Sequence, residues 1–175
     1  MRNRKNIRWV VMGVSGAGKS EVGARLAATL GVPFLEGDSL HTEANIAKMS
    51  AGIPLNDDDR AGWLQKLRGE IGAARERGEG LVLSCSSLKR RYRDLLRSGD
   101  PELRFAHLHG ERKILEERMR NRPGHYMPAS LLDSQLRDLE PLQADERGVR
   151  LDLSQPPDQL ANAILRCEHN DSFGK

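Results

Sequence analysis

The sequence has only two cysteines, Cys85 and Cys167, far apart and in neither a C-x-x-C pair nor a spacing that suits zinc. This excludes a disulfide framework and predicts free thiols in a reducing compartment, the cytoplasm. Aromatics are equally sparse, at 4%. A nucleic-acid surface usually pairs a strong basic stripe with aromatic platforms, and here the net charge is only +3. No nucleic-acid partner is expected. No apolar run approaches the ~20 residues of a membrane span, and the basic start, Met1 to Lys5, has no apolar stretch behind it. No membrane partner or export signal is read. Internal repeats and linkers are also missing, so the 175 residues read as one domain.

What the chain does have is a phosphate-binding signature. Gly13-Val14-Ser15-Gly16-Ala17-Gly18-Lys19-Ser20 is a full G-x-x-x-x-G-K-[ST] pattern. It follows the apolar run Ile7 to Met12 and precedes apolar residues at helical spacing, Val22, Leu26, Ala27 and Leu30. That order is strand, glycine-rich turn, helix. Glycines let backbone N–H groups close around phosphate oxygens without a Cβ in the way, and the helix start adds its dipole. Lys19 is placed to reach the β- and γ-phosphates, and the Ser20 hydroxyl to ligate Mg²⁺. A nucleotide is the expected ligand.

Further along, Val32 to Leu35 reads as a second strand ending in Glu36-Gly37-Asp38. Ligands of open α/β sheets gather at the carboxyl ends of strands, which puts Asp38 beside the phosphate loop. Asp38 or Ser39 also serves as a cap for a helix from Leu40 to about Ser50. Asn56 and the acidic run Asp57 to Asp59 open a helix reaching about Arg77, with Trp63, Leu64, Leu67 and Ile71 inward. Arg60 projects from its first turn, where a guanidinium suits an anionic group. Leu81 to Cys85 is a buried third strand without a terminal aspartate, followed by Ser86-Ser87. No neighbouring acid is present to activate water, which favours transfer to a bound acceptor over hydrolysis. A basic helix from Leu88 to Arg97 carries Lys89 in its first turn, with its arginines taken as solvated. Leu103 to Leu108 and Val149 to Leu153 supply strands four and five, and His107 and His109 are read as structural. Arg118 and Arg122, four apart on one helix, share a face. With Pro123 to Pro128 and a returning helix through Leu131 to Leu139 they form a lid, about 118–140, poised to exclude water.

Taken together, several phrases resemble the gluconokinase family of small P-loop carbohydrate kinases over nearly the whole chain. They are Gly13 to Ser20; Gly37 to His41 with Asn45, Lys48 and Met49; Gly52 to Arg60 with Trp63-Leu64; Cys85-Ser86 with Leu88-Lys89; and Arg118, Arg122 and Gly124-His125. Ser87, Tyr126 and Leu136 depart from the family's common residues. The resemblance implies an α/β P-loop NTPase fold of the nucleoside-monophosphate-kinase type: a five-stranded parallel sheet with helices on both faces and a helical lid. It also implies a homodimer, Mg²⁺ dependence, and transfer of the ATP γ-phosphoryl group to the C6 hydroxyl of D-gluconate.

On that reading the P-loop residues Gly13, Val14, Ser15, Gly16, Ala17, Gly18, Lys19 and Ser20 bind ATP. Ser20 and Asp38 hold the metal, and Asp38 orients the C6 hydroxyl and accepts its proton. Arg60 and Lys89 hold acceptor oxygens, one of them the carboxylate, and His41 bonds a hydroxyl. Arg118 and Arg122, with His125, close over the γ-phosphate. Two rivals differ in kind. A kinase for shikimate or a nucleotide would share the fold; a shikimate kinase ordinarily carries a glycine-rich turn where Ser84 to Ser87 stand. A nucleotide-dependent binding protein using the Arg90/Arg91/Arg93 face would show salt-sensitive nucleic-acid retention.

Overall fold

The computed structural model describes residues 6–122 and 129–169. Its strands are β1 (Arg8–Met12), β2 (Phe34–Glu36), β3 (Leu81–Ser84), β4 (Arg104–His109) and β5 (Gly148–Asp152). They form one sheet in the order β2-β3-β1-β4-β5, with every adjacent pair parallel. The helices are α1 (Lys19–Leu30), α2 (Glu43–Ser50), α3 (Asp57–Glu76), α4 (Arg90–Arg97), α5 (Arg112–Arg120), α6 (Ala129–Asp138) and α7 (Pro157–His169). A 3-10 turn, Gly37–Leu40, links β2 to α2.

Parallel strands need crossovers, and crossovers on both faces bury both sides of the sheet. The strands therefore read as continuous apolar runs whose alternate residues enter different cores. Trp9 and Val11 of β1, Val82 of β3 and Ala106 and Leu108 of β4 face one core with α1, α5, α6 and α7. Val10 and Met12, Leu81 and Leu83, and Phe105 face the other, with α3 and α4. Each large apolar side chain buried this way contributes about 1.5–3 kcal/mol. The strand order leads away from β1 in both directions, so loops diverge at its carboxyl end and leave a crevice there. Among the described residues no helix is long and apolar enough to cross a membrane.

Local signals explain the boundaries, including those the sequence reading misplaces. Gly31 ends α1 in the left-handed conformation, φ 68°, with its N–H on Ala27 and Ala28 carbonyls. The expected helix from Leu40 does not start there. Thr42 caps α2, its hydroxyl accepting from the Asn45 N–H, so neither Asp38 nor Ser39 is the cap. Asn56 and Asp59 close a capping box at the start of α3. Lys89 is the residue before α4 rather than within its first turn. The helix expected through Arg122 ends at Arg120, so Arg118 and Arg122 do not share a helical face. Nor are the arginines of α4 uniformly solvated. Arg93 is fully buried, donating to Glu146 and to the Ser87 and Leu88 carbonyls.

Candidate active site

The phosphate loop leaves β1 at Gly13 and enters α1 at Lys19. Gly13, Gly16 and Gly18 have φ of 151°, 83° and 91°, a region that penalises every side chain. Space forbids substitution as well: a Cβ on Gly13 would stand 2.8 Å from the Leu108 carbonyl oxygen. Val14 and Ala17 are buried and anchor the loop to the core. α1 begins without a side-chain cap, so its first-turn N–H groups face the loop.

Lys19 folds back across this loop, its Nζ donating to the Val14 carbonyl at 3.1 Å. Burial of the ammonium lowers its pKa, offset in part by Asp38, Cys85 and Glu36, while the charge of Arg122 pushes the same way as burial. Asp38 lies on the 3-10 turn with an exposed carboxylate, where a parallel strand of the crevice ends. Its position depends on Gly37, whose Cβ would lie 2.1 Å from the Ser84 carbonyl oxygen. Cys85 stays a thiol, its pKa lifted by burial to about 11.

Ser20 is not partnered by Asp38. Its hydroxyl donates to Glu36, and the other oxygen of that carboxylate accepts from the Ser84 hydroxyl at 2.6 Å. Glu36 thus ties the P-loop to the ends of β2 and β3, a role the sequence reading does not assign. Its signal is the register that sets Glu36 beside Ser84. Among the described residues no three His, Cys, Asp or Glu side chains assemble into a metal cage. The donors at hand are a hydroxyl and carboxylates, hard oxygens that suit Mg²⁺ completed by phosphates and water.

Arg60 and Lys89, the two cations expected to hold the acceptor, meet at one tyrosine. Their cationic ends lie 5.5 Å and 5.7 Å from the Tyr92 ring centroid. Arg60 Nη1 donates to the Tyr92 hydroxyl at 3.1 Å and reaches Asp138 of α6 at 3.5 Å. Lys89 pairs with Asp57 at 3.3 Å, and the Tyr92 hydroxyl donates to the same carboxylate. Arg60 is itself buried. His41 lies between the two sides, its Nε2 3.9 Å from Asp38 and its pKa lowered by burial, with Arg60 adding to the effect.

Of the residues expected over the γ-phosphate, Arg118 braces the loop from behind. Its guanidinium donates to the carbonyls of Gly16 and Ala17 at 3.4 Å each and of Leu153 at 2.6 Å. Arg122 is exposed and close enough to act on Lys19. His125 lies outside the described residues. From α6, Gln135 accepts from the Ser15 N–H at 2.8 Å and donates to the Ser15 hydroxyl at 3.1 Å. His107 and His109 stand apart from these groups, on β4.

A glycine-rich loop at the end of the central strand, a lysine folded over it, and carboxylates on the next strand's exit define a P-loop phosphotransferase. The AAA domain family matches residues 9–142. More specifically, the chain belongs to the gluconokinase family. It is 44% identical over 160 residues to the thermosensitive gluconokinase of Escherichia coli K12, covering 91% of this chain and 84% of that protein. It is 46% identical over 157 residues to the gluconokinase of Gluconobacter oxydans, covering 90% and 88%. The crystal structure of a gluconokinase from Sinorhizobium meliloti 1021 superposes with a TM-score of 0.86 at 46% identity, covering 95% of this chain and 94% of that one.

Proposed function

We propose that the protein transfers the γ-phosphoryl group of ATP to the C6 hydroxyl of D-gluconate, giving 6-phospho-D-gluconate and ADP. One observation supports this reading beyond the family likeness: the Asp38 carboxylate lies 3.9 Å from His41 Nε2, and its charge acts on Lys19 of the phosphate loop. On this reading it serves between the phosphoryl donor on the P-loop and the acceptor.

ATP binds with its phosphates on the N–H groups of Gly13 to Ser20, and Lys19 neutralises charge that develops on the transferred group. Asp38 orients the C6 hydroxyl and takes its proton as the P–O bond forms, ADP leaving with the displaced bridging oxygen. Arg60 and Lys89 hold acceptor oxygens, the carboxylate among them, which positions C6 for in-line attack. His41 bonds a hydroxyl between those ends. Mg²⁺ would be held at Ser20 and the nearby carboxylates Asp38 and Glu36, where it would shield the phosphate charges. Arg122, with His125, closes over the γ-phosphate, and Arg118 keeps the loop in shape for it.

The chain works as one kinase domain, 1–175, in which residues 118–140 act as a lid. The contacts of Arg118 and Gln135 with the phosphate loop support that assignment. A homodimer acting in the cytoplasm fits the family resemblance and the free thiols Cys85 and Cys167. The test is ADP release with Mg·ATP across D-gluconate, other sugar acids, glucose, shikimate, nucleoside monophosphates and no acceptor. Release with D-gluconate alone is expected. Release with another acceptor overturns the acceptor assignment, and none above background overturns the kinase reading.

A further inference from the structure

His41 is largely enclosed. Its side chain is only 4% exposed, and its ring stacks on the Trp63 indole with centroids 4.1 Å apart and planes inclined by 17°. Trp63 in turn donates its Nε1–H to the Gly37 carbonyl at 2.8 Å, so one indole clamps both ends of the turn that carries Asp38. Water does not choose the tautomer of a ring enclosed like this; its neighbours do.

The neighbour of Nδ1 is Asn45, which is 4% exposed. The Asn45 side-chain nitrogen lies 2.8 Å from the Asp59 backbone carbonyl oxygen and 3.3 Å from His41 Nδ1. A carbonyl oxygen only accepts, so the group facing it is the NH₂ end of the amide, and the orientation of Asn45 is settled. Of its two hydrogens one goes to Asp59 and the other to His41 Nδ1. That nitrogen must then be the bare, accepting one. A neutral ring keeps its single proton on Nε2, the nitrogen facing Asp38. The arrangement is rigid. Thr42 caps the turn that holds Asn45, Lys48 grips both Asp59 oxygens at 2.9 Å and 3.0 Å, and the Asn56 capping box fixes the same residue.

We propose that Asn45 is a positioning residue that fixes neutral His41 as its Nε2–H tautomer, so that the ring presents a donor toward Asp38 and the acceptor pocket. That one donor selects an oxygen lone pair on the acceptor, beside the Asp38 carboxylate 3.9 Å away. Asn45 itself touches neither substrate. The acceptor part of this inference rests on the kinase reading above; the tautomer does not.

The experiment is two-bond ¹H–¹⁵N correlation of the full chain labelled with ¹⁵N-histidine, at pH 8 where an ordinary imidazole is neutral. The His41 signals are assigned by their loss in His41→Gln. Nε2 protonation is expected in the native chain, Nδ1 protonation in Asn45→Asp, and a mixture in Asn45→Ala. Asn45→Ala, which places no charge in the site, keeps the test open should Asn45→Asp fail to fold. In kinetics, Asn45→Ala should raise the acceptor KM by about tenfold, one buried hydrogen bond, with the ATP KM unchanged. His41→Gln, whose amide nitrogen reaches the Nε2 position, should retain more acceptor affinity than His41→Asn. In a His41→Gln background, Asn45→Ala should add little. Nδ1 protonation in the native chain, or Nε2 protonation unchanged in both Asn45 variants, overturns the proposal. Should D-gluconate fail as acceptor while the tautomer shifts as stated, the substrate assignment fails and the positioning role stands.

Discussion

The hydroxyl of Ser20, last residue of the phosphate loop, donates to the carboxylate of Glu36, last residue of β2. On the proposed reading a Mg²⁺ ion arriving with ATP would use that hydroxyl oxygen, and the bond to Glu36 sets how it points. Carboxylates that orient a metal's ligands typically change metal affinity by 10–100-fold when removed. Glu36→Gln is therefore expected to raise the Mg²⁺ concentration for half-maximal turnover by about tenfold. Calorimetric titration of ADP with and without Mg²⁺ should show the same loss in the Mg-dependent part alone. An unchanged Mg²⁺ requirement would remove Glu36 from the metal's surroundings.

Arg60 and Lys89 are separable by the charge they recognise. Arg60 is buried and held by the Tyr92 hydroxyl, where a bond to a carboxylate is worth most. Arg60→Ala should raise the D-gluconate KM by about ten- to a hundredfold at saturating ATP, and Lys89→Ala by less. The discriminating comparison is D-gluconate against D-gluconamide, which lacks the charge. Preference for the acid should collapse in Arg60→Ala; collapse in Lys89→Ala instead would place the carboxylate at Lys89.

Gly37 is needed for room rather than for an unusual dihedral. A methyl group there meets the Ser84 carbonyl at 2.1 Å, and only separation of β2 from β3 relieves the clash. Gly37→Ala should cost about 1–3 kcal/mol of stability and displace Glu36 and Asp38 together, so kcat should fall as well. Gly62 is the control. A Cβ there meets nothing within 4 Å on α3, and Gly62→Ala should gain a few tenths to about 1 kcal/mol. Denaturant melts of the two variants, with kcat, check both statements.

His107 predicts a pH dependence of stability unrelated to catalysis. It is 1% exposed on β4, and among the described residues neither ring nitrogen has a hydrogen-bond partner. Burial, reinforced by Arg150, His109 and Arg93, brings its pKa from the ordinary 6.5 to about 4. The unfolded chain takes up this proton near 6.5 and the folded chain only near 4, so the folded state is favoured most above 6.5. The contribution, of the order of 3 kcal/mol, is lost as pH falls from 6.5 toward 4. His107→Leu should flatten that part of a plot of unfolding free energy against pH. A slope identical to that of the native chain would show that other groups carry it.

The parts of this molecule legible in the sequence are those whose cause is local. The phosphate loop is one, because its eight residues contain both the turn and the donors. Alternating apolar strands and the inward stripe Trp63, Leu64, Leu67 and Ile71 are others, because period alone sorts them. The missed features join residues distant in sequence. Glu36 matters because β2 pairs with β3, and Arg93 is buried because Glu146, 53 residues away, receives it. Periodicity marks a helix face without saying which charge on it has a buried partner. The start of α2 failed for a different reason. Asp38, Ser39 and Thr42 are all competent caps, and composition alone does not rank them. Asn45 stood in a recognisable phrase, but its task exists only once α3 brings Asp59 alongside.

The stacking of His41 on Trp63 also gives the chain an optical readout. There are two tryptophans in the sequence. Trp9 lies at the centre of the sheet, wholly buried, whereas Trp63 touches the ring and the turn that would meet an acceptor. Tilting, protonation or withdrawal of the imidazole lying against Trp63 should alter its emission, over a constant background from Trp9. Occupancy of the pocket would then be readable in the protein's own fluorescence, with no label attached.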